Sequence, residues 1–241
     1  MGTFVALSVD GPSAAVASAG LESAWEAIQR VEALMHPTRA GGDLARLHAA
    51  TPGARVAVHA WTLDLLRQVQ GLHRDSRGVF DPCLPEAAGR FGDLVLGDDG
   101  TLACEVPLRL DLGGVAKGHA VDRAIAALAA AGCTGALLNA GGDARAWGDR
   151  AATLAVGHAG GVQVELRDAA LAVSAESATA PPEHRGYYCR AAGYRRAAAV
   201  AAVLAPTATL ADGLTKCVLF MPEGECAALL ARHGARRVQL P

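Results

Sequence analysis

Apolar residues recur every three or four positions in four stretches of this chain, and that spacing predicts amphipathic helices. The predicted helices cover residues from about 21 to 35, about 61 to 76 and about 208 to 220, together with a central helix that opens after Gly114 and stops at Gly132. A short helix and a strand are expected to close the chain.

Shorter apolar runs, some of them alternating with polar residues, predict strands. These runs lie at residues 3–9, 94–96, 102–104, 108–112, 136–138, 153–156, 162–166, 170–173 and 198–204. The Gly-Asp-Asp-Gly sequence at 97–100 predicts a hairpin turn between the second and third of them. Because strands and helices are mixed without strict β-α-β alternation, the expected fold class is α+β.

Composition adds limits on size, partners and location. The chain has 241 residues, 51% of them hydrophobic and 19% charged, which describes one compact globular domain or two small intertwined lobes; we expect a single domain over residues 1–241. A formal net charge of -2 gives no electrostatic reason to expect nucleic acid or a membrane surface as a partner. No apolar run reaches the roughly 18 residues of a membrane span, and the N-terminus lacks the basic region of a secretory signal, so the expected location is cytoplasmic. The six cysteines form no Cys-x-x-Cys pair and indicate neither a zinc site nor a disulfide framework.

Residues 111–122 read Asp-Leu-Gly-Gly-Val-Ala-Lys-Gly-His-Ala-Val-Asp, at the point where the strand predicted over 108–112 gives way to the central helix. A strand that enters a helix through paired glycines leaves helix-start amide groups unpaired and lets a ligand approach the backbone closely. The segment therefore predicts an anion-binding site. The alternatives are a glycine-rich turn that binds nothing and, for Asp111, a carboxylate that caps the following helix.

This segment resembles the Asp-Leu-Gly-Gly-Ile-Ala-Lys-Gly-Tyr-Ala-Val-Asp motif of the ApbE family, the FAD:protein FMN transferases. Further segments resemble family motifs in the family's order, at residues 1–3, 34–39, 43–48, 78–82, 139–143 and 211–216. The resemblance implies an ApbE-like fold, related to the T-fold, in which helices pack on mixed sheets. It also implies Mg²⁺-dependent transfer of FMN from FAD to a Thr or Ser hydroxyl of an acceptor flavoprotein, with release of AMP.

The same resemblance implies roles for particular residues. Those implied to bind FAD are Met1, Thr38, Asp81, Asp111, Gly113, Gly114, Lys117 and Asp143. Asp212, Thr215 and the main-chain carbonyl of Gly114 would hold Mg²⁺, because this ion prefers hard oxygen ligands. Asp212 and Lys216 would serve catalysis, Asp212 through the metal and Lys216 as a positive charge beside the phosphates.

Asp212, Thr215 and Lys216 are spaced to share one face of the helix predicted over 208–220. Lys216 stands where the family usually carries Thr, and its ammonium cannot coordinate a cation but can itself neutralise a diphosphate. Coulomb repulsion from Lys216 is expected to weaken Mg²⁺ binding. Thr209 and Asp212 also match a capping-box pattern, which is the alternative explanation for Asp212. Lys117 and Lys216 are the only lysines in the chain, and each lies in one of the two phosphate-site motifs.

Two family features are altered in this sequence. A His-x-Ile-Asp-Pro-x-Thr-Gly segment is missing, with only His184 inviting comparison, and Thr38 takes the place of a Tyr. A catalytic base is therefore not assigned. The alternatives to transfer are an FAD-binding relative with weakened catalysis and an Mg²⁺-dependent FAD pyrophosphatase. Because ApbE-like proteins are often exported, a periplasmic location is expected if a leader has been removed.

Overall fold

The computed structural model describes residues 3–157, 161–175, 189 and 191–240. Along the chain its elements are β1 (Val5–Asp10), α1 (Ala14–Met35), α2 (Asp43–Ala49), β2 (Val56–Ala57), α3 (Ala60–Asp75), β3 (Leu94–Leu96), β4 (Thr101–Cys104), α4 (Ala116–Ala130), β5 (Gly135–Ala140), β6 (Asp143–Val156), β7 (Val162–Ala175), β8 (Val200–Ala205), α5 (Ala208–Phe220), α6 (Glu223–Arg232) and β9 (Arg236–Arg237). Short 3₁₀ turns cover Phe91–Asp93 and Leu112–Gly114.

The strands form two antiparallel sheets of unequal size. β1, β5, β6, β7, β8 and β9 lie side by side in that order, and β2, β4 and β3 form the small second sheet. α5 packs on β7 and β8, α4 packs on α5 and on β5 and β6, and α1 packs on α4. The predicted α+β class, with helices packed on sheets, is confirmed.

Three of the predicted helices have nearly the predicted bounds. α3 and α5 match the predictions near 61–76 and 208–220, and α4 is the central helix. The first helix is longer than predicted, because Ser13 caps it and Oγ of Ser13 accepts a hydrogen bond from the amide of Val16 at 3.2 Å. Its alanine-rich start carries little apolar periodicity but favours helix by intrinsic propensity.

The prediction of a strand over residues 108–112 is wrong. Leu108, Leu110 and Leu112 are buried, as their alternation indicates, but Leu110 forms only an isolated bridge, with Cys83. Its amide donates a hydrogen bond to Nε2 of His48 at 2.9 Å. The segment is thus an extended crossing of the core, and its alternating burial does not require a strand ladder.

The two strands predicted at 162–166 and 170–173 are one strand, β7, which bends between them. Asp168 has a φ of 44°, and the opposing strand β6 has Gly148 at a φ of 69°. The pairing of β6 with β7 shifts its register between Ala146 and Ala151. A bulge of this kind lets one strand change direction without ending, which the polar residues of the bend conceal in the sequence.

The main hydrophobic core draws side chains from both sheets, including Leu102 of β4, Leu138 of β5 and Val203 of β8. This shared core supports the expectation of a single domain, which stays a prediction. Among the described residues, no helix is both long enough and apolar enough to span a membrane.

Candidate functional site

The glycine-rich motif forms a 3₁₀ turn followed by the start of α4. Oδ1 of Asp111 accepts a hydrogen bond from the amide of Gly113 at 2.8 Å, and this contact caps the turn. Asp111 therefore caps the 3₁₀ turn and not α4, which begins after Val115 without a side-chain cap, and the contact of Asp111 with FAD stays a prediction. In the first turn of α4, Nζ of Lys117 lies 3.5 Å from the carbonyl oxygen of Gly113. The turn thus holds Lys117 at the mouth of the predicted anion site.

Lys117, Asp143, Asp212 and Lys216 meet in a single ionic group, called here the lysine–aspartate cluster. Nζ of Lys117 lies 3.0 Å from Oδ2 of Asp143 and 3.5 Å from Oδ2 of Asp212. Nζ of Lys216 pairs with the other oxygen of Asp212, Oδ1. Both lysines of the chain therefore converge on the fully buried carboxylate of Asp212. The sequence placed them in separate motifs, and the fold brings them together.

Asp212 is not the cap of α5. The cap is Thr207, whose Oγ1 accepts a hydrogen bond from the amide of Leu210 at 3.3 Å. Oδ2 of Asp212 instead accepts a hydrogen bond from the amide of Gly118 in α4 at 3.3 Å. The capping-box alternative is therefore wrong, because Asp212 lies in the second turn of α5 and faces α4.

Asp122, at the end of the motif, fixes α5 against α4. Its carboxylate accepts hydrogen bonds from the amides of Ala208 at 3.0 Å and Thr209 at 2.9 Å, and it pairs with Arg145. α4 and α5 approach so closely that a Cβ at Gly118 would lie 2.2 Å from the carbonyl oxygen of Ala208. The motif thus specifies a helix contact as well as a turn, and that contact delivers Asp212 to Lys117.

Ser174 and Thr215 complete the surroundings of Lys216. Nζ of Lys216 donates a hydrogen bond to Oγ of Ser174 at 3.0 Å, and Oγ of Ser174 lies 2.7 Å from Oγ1 of Thr215. Oγ1 of Thr215 also donates to the carbonyl oxygen of Asp212 at 2.6 Å. Sequence reasoning missed Ser174, and the only signal was a hydroxyl within the apolar strand sequence Leu-Ala-Val-Ser-Ala.

Asp143 reaches the cluster through the tight turn between β5 and β6. Gly141 and Gly142 have φ values of 63° and 98°, a backbone conformation that glycine adopts without steric cost. Oδ1 of Asn139 accepts a hydrogen bond from the amide of Gly142 at 3.1 Å and closes the turn. Asp143 follows as the first residue of β6, with 1% of its surface exposed.

Burial and charge shift the pKa values in the cluster. Burial works to lower the pKa of Lys117, but the carboxylates of Asp212 and Asp143 outweigh it and raise that pKa overall. Burial, together with the Asp212 carboxylate, raises the pKa of Asp143 to about 7 against the opposing effect of both lysines. Oδ2 of Asp143 is buried with no aligned hydrogen-bond donor in the described part of the chain. The raised pKa means that the Asp143 carboxyl group keeps its proton to a higher pH than an ordinary aspartate does.

A cavity of about 180 Å³ opens beside Lys117. It lies between the end of α1 and the turn of the motif, and its lining includes Met35, His36, Asp111, Gly113 and Lys117. The side chain of Lys117 is 27% exposed, whereas that of Lys216 is 7% exposed. Lys117 is therefore the member of the cluster that an incoming ligand meets first.

The remaining predicted site residues lie elsewhere or outside the described residues. Thr38 is exposed, and its amide donates to Nδ1 of His36 at 3.3 Å, at the rim of the cavity. Oδ1 of the buried Asp81 accepts hydrogen bonds from the amides of Cys83 and Phe91, which stabilise its own loop. Met1 and His184 lie outside the described residues. The FAD contacts predicted for Met1, Thr38 and Asp81 stay predictions.

Both carboxylate oxygens of Asp212, which is one of the residues expected to hold Mg²⁺, are engaged by nitrogen donors. Oδ1 of Asp212 is paired with Lys216, and Oδ2 faces Lys117 and the amide of Gly118. Within residues 3–157, 161–175, 189 and 191–240, no three His, Cys, Asp or Glu side chains gather in a group that could hold a metal ion. Two lysines and two aspartates also leave the cluster without the net negative charge that attracts a divalent cation. The residues present do not fit Mg²⁺ at Asp212.

The fold is that of solved flavin transferases. Over 99% of this chain and 92% of the other, it matches the apo flavinyl transferase ApbE of Pseudomonas stutzeri, with a TM-score of 0.74 and 20% identity. The ApbE protein of Thermotoga maritima matches over 100% of this chain and 93% of its own, with a TM-score of 0.76 and 19% identity.

The family model of the ApbE family matches residues 1–94 and 87–238, so the chain belongs to the ApbE family. A FAD:protein FMN transferase of Rhodobacter capsulatus is 33% identical over 138 residues, which is 46% of this chain. The match spans 26% of that relative's length. The family resemblance seen in the sequence is confirmed.

Proposed function

We propose that this chain transfers the FMN moiety of FAD to a Thr or Ser hydroxyl of an acceptor protein and releases AMP. The acceptor oxygen forms a bond to the FMN phosphorus, the bond from that phosphorus to the bridging pyrophosphate oxygen breaks, AMP leaves with that oxygen, and the hydroxyl proton passes to water. Family membership and the matched FAD:protein FMN transferase support this reaction.

The observation that carries the proposal is the convergence of both lysines on Asp212 beside the glycine-rich turn. The proposed transfer forms no covalent bond to the enzyme, so catalysis depends on positioning the reactants and on stabilising the negative charge of the phosphates. Lys117 lies at the cavity and binds the phosphate oxygens directly, and Lys216 adds a second positive charge behind it. Asp212 orients both ammonium groups.

The acceptor protein supplies the hydroxyl, and no residue is assigned as the catalytic base. The raised pKa of Asp143 makes it able to take up a proton near neutral pH, but its position behind Lys117 keeps it from being assigned as the base. The resemblance also implies a magnesium requirement, which stays a prediction. The donors around Asp212 argue against that requirement, so no step of the proposed reaction depends on the metal.

Mass spectrometry of peptides bearing Thr or Ser, incubated with the protein and FAD, tests the proposal. We expect an FMN adduct on a peptide and an equal amount of AMP. Free FMN with AMP and no adduct would identify a pyrophosphatase instead. Unchanged FAD that stays bound to the protein would identify a binding protein without transfer. Parallel incubations with EDTA and with Mg²⁺ test the magnesium requirement separately.

A further inference from the structure

The ammonium group of Lys216 is fixed in place before any ligand arrives. It pairs with Oδ1 of Asp212 and donates to Oγ of Ser174 at 3.0 Å, and its side chain is 7% exposed. An ammonium has three N–H donors. Within the described residues, Lys216 uses two of them, one for Asp212 and one for Ser174. One N–H donor of Lys216 therefore remains for an oxygen atom of a ligand.

The Lys216 ammonium already engages a carboxylate oxygen of Asp212 that a divalent cation would need. A cation at Asp212 requires a free carboxylate oxygen, whereas Lys216 already pairs with Oδ1 and the amide of Gly118 donates to Oδ2. The hydroxyl of Thr215 donates a hydrogen bond to the carbonyl oxygen of Asp212 at 2.6 Å, and its oxygen lies 2.7 Å from Oγ of Ser174. A cation would have to displace Lys216 from a buried carboxylate, and the displaced ammonium would remain nearby as a repulsive charge.

The charge balance favours a diphosphate over a metal-bound diphosphate. Lys117, Lys216, Asp143 and Asp212 have formal charges that sum to zero when all four are ionised. The pyrophosphate of FAD brings two negative charges, and it binds more strongly when two ammonium groups donate charge-assisted hydrogen bonds to it. A divalent cation gains no comparable electrostatic binding energy from this neutral group before the phosphates are present.

We propose that the Lys216 ammonium, held by Asp212 and positioned by Ser174, replaces the divalent cation at the FAD pyrophosphate, so that the protein binds FAD without a metal. The ligand class is a dinucleotide joined through a pyrophosphate. This inference rests on the proposed function, and it identifies the Lys216 ammonium as a charge that neutralises the pyrophosphate at the proposed site. Ser174 is a positioning residue, because it acts on the phosphates only through Lys216.

Fluorescence titration of FAD with the native protein tests the inference without any variant. We expect the same Kd in EDTA and in millimolar Mg²⁺, within about a factor of two, which is a small free-energy difference. Binding that is about tenfold or more tighter with Mg²⁺ would overturn the inference and leave the proposed function intact. No binding of FAD in either solution would overturn the proposed function and this inference together.

Two variants separate the roles of the side chains around Asp212. Lys216→Thr is expected to weaken FAD binding by about tenfold or more in EDTA, because a charged hydrogen bond is lost, and to recover affinity when Mg²⁺ is added. Ser174→Ala keeps the ammonium and is expected to weaken binding less, with no gain from Mg²⁺.

The control for charge removal is Arg232→Thr, since Arg232 is 66% exposed and pairs with Asp75, away from the cluster. It is expected to bind FAD as the native protein does. A folded Lys216→Thr protein with native affinity in EDTA would overturn the inference. If Lys216→Thr does not fold, the comparison of EDTA with Mg²⁺ on the native protein still decides.

Discussion

The ammonium of Lys216 pairs with Oδ1 of Asp212, one helical turn earlier in α5, while the ammonium of Lys117 in α4 lies 3.5 Å from Oδ2 of the same carboxylate. One buried carboxylate thus orients two positive charges that come from separate parts of the chain. Because Asp212 is fully buried, each of its contacts is made in a medium that screens charge weakly. The relationship makes Asp212 a structural support as well as a candidate site residue.

The first prediction concerns stability. Asp212→Asn leaves the Lys216 ammonium buried without a neutralising partner, and removing one member of a buried ion pair costs about 3 kcal/mol or more in the free energy of unfolding. Urea denaturation at neutral pH measures the change. The matched control is Asp10→Asn, which removes a half-exposed pair with Arg150 and is expected to cost less than about 1 kcal/mol. Equal and small effects for the two variants would show that the cluster does not depend on Asp212.

The second prediction concerns pH. The pKa of Asp143 is raised from its ordinary value of 3.8 to about 7, so in this interval the folded protein holds a proton that the unfolded chain releases. The free energy of unfolding should therefore fall as the pH rises from about 4 to about 7, and this contribution should level off above pH 7.

Urea denaturation at a series of pH values, on the native protein and on Asp143→Asn, measures that contribution. Asn does not titrate, so the variant should lose the part of the slope that belongs to Asp143. Asp149→Asn, at an exposed position in the middle of β6, is the control and should keep the native slope. The same pH dependence in the native protein and in Asp143→Asn would contradict the account.

The third prediction concerns the contact of α4 with α5. In Gly118→Ala the added Cβ would lie 2.2 Å from the carbonyl oxygen of Ala208, so the helices must separate and Asp212 must move away from Lys117. We expect a lower melting temperature and weaker FAD binding. Gly71→Ala in α3 is the matched control, because nothing lies within 4 Å of its Cβ and alanine favours helix by about 1 kcal/mol. A melting temperature that rises in both variants would contradict the close contact.

The sequence predicts most of the secondary structure because its signals are local. Apolar periodicity predicts α3, α4 and α5 closely, and a glycine-bounded turn predicts the β3–β4 hairpin. Apolar periodicity wrongly predicts a strand over residues 108–112, where the alternating burial comes from an extended segment that crosses the core without a partner strand. Periodicity reports which side chains are buried, and it does not report what the backbone pairs with.

The candidate site was predicted in parts. Resemblance to the family singled out Lys117, Asp143, Asp212 and Lys216, because each lies in a recognisable motif. Their union in one cluster depends on the packing of α4, α5 and the β5–β6 turn, which no local pattern specifies. Ser174 was missed for the same reason, since its contact with Lys216 arises only where β7 crosses under α5.

The most direct test of the central claim, that the lysine–aspartate cluster binds the FAD pyrophosphate, is the FAD affinity of Lys117→Met. Met keeps most of the side-chain volume and removes the charge, so a weakening of about tenfold or more is expected from the loss of a charged hydrogen bond to phosphate. Lys117→Arg should restore part of the affinity, and Arg67→Met, which removes an exposed charge paired with Asp98, should leave it unchanged. A folded Lys117→Met protein that binds FAD with native affinity would contradict the account.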